Sequence, residues 1–179
     1  MLKLLTKIFT TPKLTETISP SDVASIEITA LGNKIRDRVK SLFQGSLAIR
    51  QVDAGSDNAA EQELVALSNA YYDVERFGIH FVASPKHADM LMVTGPVTRN
   101  MAEALRRAYT ATPNPKLIVA VGDDAIDGGI FRGSYATYDG VNSVIPVDYT
   151  IPGNPPSPKT ILVHLLKILE TADIPHIKK

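Results

Sequence analysis

A chain of 179 residues is long enough to bury one sizeable core and fits a single domain. Its 19 Lys and Arg balance 19 Asp and Glu, so no net field draws in nucleic acid or an anionic lipid surface. The absence of cysteine excludes disulfides, a thiolate nucleophile and thiolate-held zinc or iron–sulfur centres.

The opening run, MLKLLTKIF, sets Leu2, Leu5, Ile8 and Phe9 at near-helical spacing with Lys3 and Lys7 between. It falls far short of the ~20 apolar residues that cross a bilayer, and no small-residue cleavage site follows. It reads as a short amphipathic foot on a membrane or partner, or as a frayed end. The polar, proline-broken TTPKLTETISPSD reads as a linker, so residues 1–20 are expected to be an extension and 21–179 the folded domain. Ser21 or Asp22 can cap a helix running to about Phe43, with Val23, Ile26, Leu31, Ile35, Val39 and Leu42 as its apolar stripe. Gly32 weakens that helix without excluding it.

GSLAIRQV predicts a first strand, and the loop DAGSDN leads into a helix over about 60–70. IHFVAS is a second strand by its β-branched and aromatic content. ADMLMVTG is a third, continuous and apolar, as in a strand buried on both faces. Gly95-Pro96 turns the chain, RNMAEALRRAYTAT predicts a helix, and PKLIVAVGD predicts a fourth strand ending at Gly122. The glycine-rich DDAIDGGIFRGSYATYDG precedes a short extended segment, SVIPVDYTIPG. SPKTILVHLLKILE closes the chain as a helix, with Ser157 as its cap and Pro158 at its first position. Strands alternating with helices, with glycine turns at the strand carboxyl ends, predict a flavodoxin-like doubly wound parallel sheet with helices on both faces. Ligands in such sheets sit beyond the strand carboxyl ends. Loops 53–61, 95–99 and 122–134 should therefore converge there, with 148–156 closing over them.

Those loops carry Asp53, Asp57, Glu61, Asp123, Asp124 and Asp127. Carboxylates gathered at one edge bind a hard cation such as magnesium, or they cap helices and hydrogen-bond loop backbone. His80, His87, His164 and His176 form no i, i+4 pair beside a glutamate, which removes the zinc-hydrolase pattern. The chain has no phosphate-binding G-x-x-x-x-G-K-[ST] loop, no G-x-G-x-x-G turn and no G-x-S-x-G elbow. Arg76, Arg99, Arg106 and Arg107 read as salt-bridging, partner-facing or solvated residues. GNPPSP at 153–158 is a rigid turn that presents Asn154 near the acidic loops.

Taken together, SLAIRQVDAGSDNAAE, YYDVERFGIHFVASPKHADMLMVTGPVTRNM, PKLIVAVGDDAIDGGIF and VIPVDYTIPGNPPSPKTIL resemble one family over about residues 44–168. It is the small electron-transfer subunit of group 4 membrane-bound NiFe hydrogenases, a family that includes the 20 kDa cluster-bearing subunit of respiratory complex I. The resemblance implies a 4Fe-4S cluster held by a Cys-x-x-Cys-Glu loop, a Gly-x-Cys turn and a Gly-Cys-Pro-Pro turn. Aligned by motif, the ligand positions fall on Asp57, Ala60, Asp124 and Asn154, none of them a thiolate. The frame of Gly55, Ser56, Glu61, Gly122, Gly128, Gly129, Gly153, Pro155 and Pro156 is intact. A cubane cluster needs soft thiolates, so no cofactor is expected, with water or a hard cation in the vacated volume. Asp57, Asp124 and Asn154 are expected to form a hydrogen-bonded polar plug there.

Glu61 matches the family's glutamate at the contact with the large catalytic subunit. Its retention permits a buried hydrogen bond or a proton relay, and with Asp53 and Arg50 it is a candidate for a proton relay or a subunit contact. The implied protein is a redox-silent structural subunit of a membrane-associated hydrogenase-like or complex-I-like oxidoreductase, without catalytic residues of its own. Its implied partners are a large catalytic-subunit homologue, membrane-arm subunits and a ferredoxin-like subunit, on the cytoplasmic face of the cell membrane. Two alternatives stand beside it. One is an electron-transfer subunit that carries a 4Fe-4S cluster in its unaltered form. The other is a stand-alone protein that binds a cation or small molecule.

Overall fold

The computed structural model of the chain describes residues 23–172. The amphipathic opening run, the capping positions Ser21 and Asp22, and His176 lie outside the described residues. Five parallel strands form one sheet: β1 (Leu47–Asp53), β2 (Ile79–Phe81), β3 (Met90–Thr94), β4 (Leu117–Val121) and β5 (Tyr149–Ile151). Their order is β2-β1-β3-β4-β5, the flavodoxin-like order. The segment expected only to be extended is thus a fifth strand at the sheet edge. Of the stretch 148–156, the turn that follows β5 is what reaches over the other loops.

β3 is buried throughout because its alternate side chains enter two separate cores. Met90 and Met92 face one side, with Leu47 and Ile49 of β1. Leu91 and Val93 face the other. The first core is covered by α1 (Val23–Phe43), α2 (Ala59–Ala66) and α5 (Pro158–Thr171), through Ile35, Val39, Leu64, Ile161 and Leu165. The second lies under α3 (Ala102–Ala111) and α4 (Asp123–Asp127), through Ala102, Leu105 and Ala125. Each fully buried Leu or Ile contributes about 2 kcal/mol of transfer free energy.

Two sequence readings are corrected here. Ile26 is 56% exposed, and the inward stripe of α1 runs through Ile28, Gly32, Ile35 and Val39. The Phe77 ring lies on Gly32, where any Cβ would collide with it, so Gly32 must face inward. Ile28 and Ile35 stand four and three residues from it and share that face, whereas Ile26 is rotated away. The helix expected over 60–70 ends at Ala66. There Asn69 Oδ1 accepts the Tyr71 and Tyr72 N–H groups at 2.9 and 3.0 Å, a local alternative to continuing the helix.

α1 and α5 run parallel and are joined at both ends. Lys159 Nζ meets Glu27 Oε2 at 2.5 Å, an exposed pair of little energetic weight. The Arg38 guanidinium donates to Leu169 O at 3.0 Å and Glu170 O at 3.2 Å, satisfying terminal carbonyls of α5 and its negative dipole end. α5 opens as its sequence predicts: Ser157 Oγ accepts the Thr160 N–H at 3.2 Å, with Pro158 in the first position.

Candidate functional site

The loop after β1 is shaped by its own side chains. Asp53 Oδ1 accepts the Gly55 and Ser56 N–H groups at 2.7 and 2.9 Å, which turns the chain out of the strand. Ser56 Oγ accepts the Asn58 N–H, and Asp57 Oδ1 the Ala59 N–H, both at 2.9 Å, at the start of α2. α2 then carries Ala60 and Glu61 inward, both buried. Glu61 is gripped from two sides. Ser56 Oγ donates to its Oε2 at 2.5 Å, and the fully buried Thr94 Oγ1, at the end of β3, donates to its Oε1.

A second fastening closes the other half. The Asp123 N–H donates to Gly153 O at 2.9 Å, and the Gly153 N–H donates to Asp123 Oδ1 at 2.8 Å. This reciprocal pair ties the start of α4 to the turn after β5. Asp127 Oδ1 accepts the Gly129 N–H at 3.0 Å, and Asp127 also pairs with Arg132 at 3.3 Å. Asp53, Asp57, Asp123 and Asp127 thus hold loop backbone, the second of the two roles open to them in the sequence. Among the described residues no three His, Asp or Glu side chains gather as a metal-binding set.

Asp57, Ala60, Asp124 and Asn154 all line one cavity, together with Ser56, Gly95, Gly122, Asp123, Gly153 and Pro155. Its volume is about 10 Å³, room for one water-sized group. The expected plug is not formed. Asp57 Oδ1 is taken by its own turn, Asn154 is exposed, and among the described residues no hydrogen bond joins Asn154 to either carboxylate. Arg50 does not join Glu61 either. It alternates with Ile49, so it stands on the sheet face opposite Thr94 and Glu61.

Asp124 is the most strained polar group of the site. It is 9% exposed, and its Oδ1 has no hydrogen-bond partner among the described residues. Burial holds its carboxyl above the ordinary carboxylate range, and the neighbouring Asp57 pushes the same way. The Ile130 N–H pulls it back, while Asp123 and Asp127 raise it further. A carboxyl raised in the fold favours the protonated state there. Its contribution to stability is present below the unfolded value, 3.8, and is lost as pH rises through the folded value. Asp124→Asn is therefore expected to raise the melting temperature at pH 7 by about 3 °C, and to leave it nearly unchanged at pH 3. Equal shifts at both pH values would show that the charge is not the destabilising element.

Two features of the site were not read from the sequence. The Ser56–Glu61–Thr94 grip has one signal, a lone hydroxyl ending the apolar run MLMVT. The Asp123–Gly153 pair spans 30 residues and leaves no local trace.

These residues do not fit a 4Fe-4S cluster. Ala60 has no donor atom, Asp57 is engaged by the Ala59 N–H, and Asp124 is withdrawn against Gly129 and Ile130. Thiolates are the donors such a cluster requires, and none of Asp57, Ala60, Asp124 and Asn154 supplies one.

Comparison with known proteins places the chain in one family. A probable membrane-bound hydrogenase subunit of Pyrococcus furiosus is 42% identical over 119 residues, 66% of this chain and 71% of the relative. An uncharacterized protein of Methanocaldococcus jannaschii is 44% identical over 135 residues, 75% of this chain and 90% of the relative. Among solved structures, a chain of the membrane-bound sulfane sulfur reductase, an archaeal respiratory membrane complex, superposes with a TM-score of 0.61. It shares 28% identity and covers 83% of this chain and 77% of its own. The family model described as NADH ubiquinone oxidoreductase, 20 Kd subunit, matches residues 58–168. That span begins just after Asp57 and includes Ala60, Gly95, Asp124 and the turn 153–155 of the cavity before running into α5. The chain belongs to the NADH ubiquinone oxidoreductase 20 Kd subunit family.

Proposed function

We propose that this chain is a cluster-less, redox-silent structural subunit of a membrane-associated oxidoreductase assembly of the hydrogenase or complex I kind. It docks a large catalytic-subunit homologue onto a membrane arm, beside a ferredoxin-like subunit. One observation carries the reading: the loops that frame the family's cluster are fastened by protein hydrogen bonds, while the ligand positions hold Asp57, Ala60, Asp124 and Asn154. The frame keeps its shape without the cluster that would otherwise cross-link it. The relatives support the setting, since one carries the name of a membrane-bound hydrogenase subunit and another belongs to a respiratory membrane complex.

The test is anaerobic purification of the tagged full chain from membranes, followed by subunit separation and metal analysis. The expected result is co-purification with a large-subunit homologue, and a colourless, iron-free chain. About four irons per chain with broad absorption in the visible would establish the electron-transfer reading instead. Recovery of the chain alone, in the soluble fraction, would favour the stand-alone binding protein.

A further inference from the structure

The backbone frame of the cavity stands apart from the four side chains at the ligand positions. Asp53 turns the chain out of β1, the Ser56–Glu61–Thr94 grip holds α2 to the end of β3, and the Asp123–Gly153 pair holds α4 to the turn after β5. None of these bonds uses Asp57, Ala60, Asp124 or Asn154. Asp57 bonds inside its own turn, Ala60 has no polar atom on its side chain, and Asn154 is exposed. Asp124 leaves one buried oxygen without a partner among the described residues. That oxygen lies against Gly129, where any Cβ would collide with it. A buried oxygen without a partner, set against a backbone that carries no Cβ, belongs to a frame that suits another group better than a carboxylate. The loops that would share such a group are already close. Ala60 Cβ is 3.7 Å from the point where a Cβ on Gly122 would stand.

We propose that cluster binding is lost from this chain at four side chains only, and that the frame still accepts a 4Fe-4S cluster once Asp57, Ala60, Asp124 and Asn154 are exchanged for cysteine. The four positions line one cavity from three separate loops, as a group bridging those loops requires. The present side chains leave only about 10 Å³ there. Asp57 and Asn154 are exposed at its mouth, so exchange and rotation of side chains widen it without moving the fastened backbone. The assembly balances without an added oxidant or reductant. Two ferrous and two ferric ions with four sulfides make a core of charge 2+, and four cysteine thiols bind it as thiolates and release four protons.

The inference rests on the reading of the chain as cluster-less, so the unaltered full chain is treated alongside. The full chain carrying Asp57→Cys, Ala60→Cys, Asp124→Cys and Asn154→Cys is purified without oxygen, given ferrous and ferric iron with sulfide, and desalted. The expected product holds about four irons per chain and absorbs broadly in the visible, bleaching on reduction. It should also melt higher than the same variant without iron, since the cluster binds the folded chain. A control turns two thiols outward, with Gln62→Cys in place of Ala60→Cys and Arg132→Cys in place of Asp124→Cys, both at exposed positions. It should keep at least about fivefold less iron. A further variant retains Asp57 and its bond to the Ala59 N–H, with the other three exchanges, and decides by the same comparison if the full set does not fold. Iron in the folded variant no higher than in the outward control would overturn the proposal and leave the redox-silent reading standing. Failure of both variants to fold would overturn it too, because the frame would then depend on its native side chains. About four irons in the unaltered chain after the same treatment would overturn both the proposal and the reading beneath it.

Discussion

Glu61→Ala is expected to destabilise the chain by about 3 kcal/mol, a drop of about 9 °C in melting temperature for a domain of this size. Glu61 is buried, and both of its oxygens accept from hydroxyls, Ser56 Oγ at 2.5 Å and Thr94 Oγ1. Truncation removes both bonds and strands Thr94, which has zero exposure and only a long 3.4 Å alternative to Val52 O. Glu61→Gln separates acceptor loss from volume loss. Its amide oxygen still accepts from one hydroxyl, and its amide nitrogen donates to the other, since each hydroxyl also accepts. The Gln variant should therefore cost about 1 kcal/mol. Amide exchange in residues 54–60 should accelerate in the Ala variant well before global unfolding, because Ser56 is then free to leave β3. If Gln and Ala cost the same, the charge rather than the two hydrogen bonds holds the loop.

The fold was legible wherever one residue type answers to one physical demand. A strand as uniformly apolar as MLMVT can only lie between two cores, and β3 does. A serine before a proline at the head of an apolar, helix-spaced run can only begin a helix, and α5 begins there. Legibility failed where the demand is set by a distant partner. Gly32 reads locally as a weak point in a helix, yet it is the seat of Phe77, 45 positions later, and that ring turns Ile26 outward and Ile28 inward. β5 is three residues long at an edge, too short for its period to announce a strand, and is specified by its register against Val119–Val121.

The site divides in the same way. Motif spacing brought Asp57, Ala60, Asp124 and Asn154 to one cavity, because glycine turns at strand ends fix where those loops go. How the side chains would bond there was not legible. Aspartates in turns have a backbone N–H within reach two residues on, and Asp53, Asp57 and Asp127 each take that near partner. A local bond that costs little ordering wins over a bond across the cavity. Asp124 is the exception because it lies inside the first turn of α4, facing Gly129 rather than a free amide of its own turn.

Gly95→Ala is expected to cost about 4 kcal/mol, from two sources at one atom. Gly95 has φ +75°, where a Cβ costs roughly 1–2 kcal/mol. That Cβ would also stand 2.5 Å from Ser56 Cα and 2.6 Å from Ser56 N, backbone atoms that no rotamer change can move. Relieving this overlap displaces the loop as a whole, and overpacking of this kind costs roughly 1–3 kcal/mol more. The displaced residue is the one that donates to Glu61, so the two variants should not add. In a double-mutant cycle by urea unfolding, Gly95→Ala with Glu61→Ala is expected to fall short of the sum by at least about 1 kcal/mol. Once Ser56 has been pushed away, removing the carboxylate it bonded costs less. Additivity within about 0.5 kcal/mol would mean that Ser56 holds its place without Glu61, and that the fastening on this side of the cavity is the close approach of Gly95 alone.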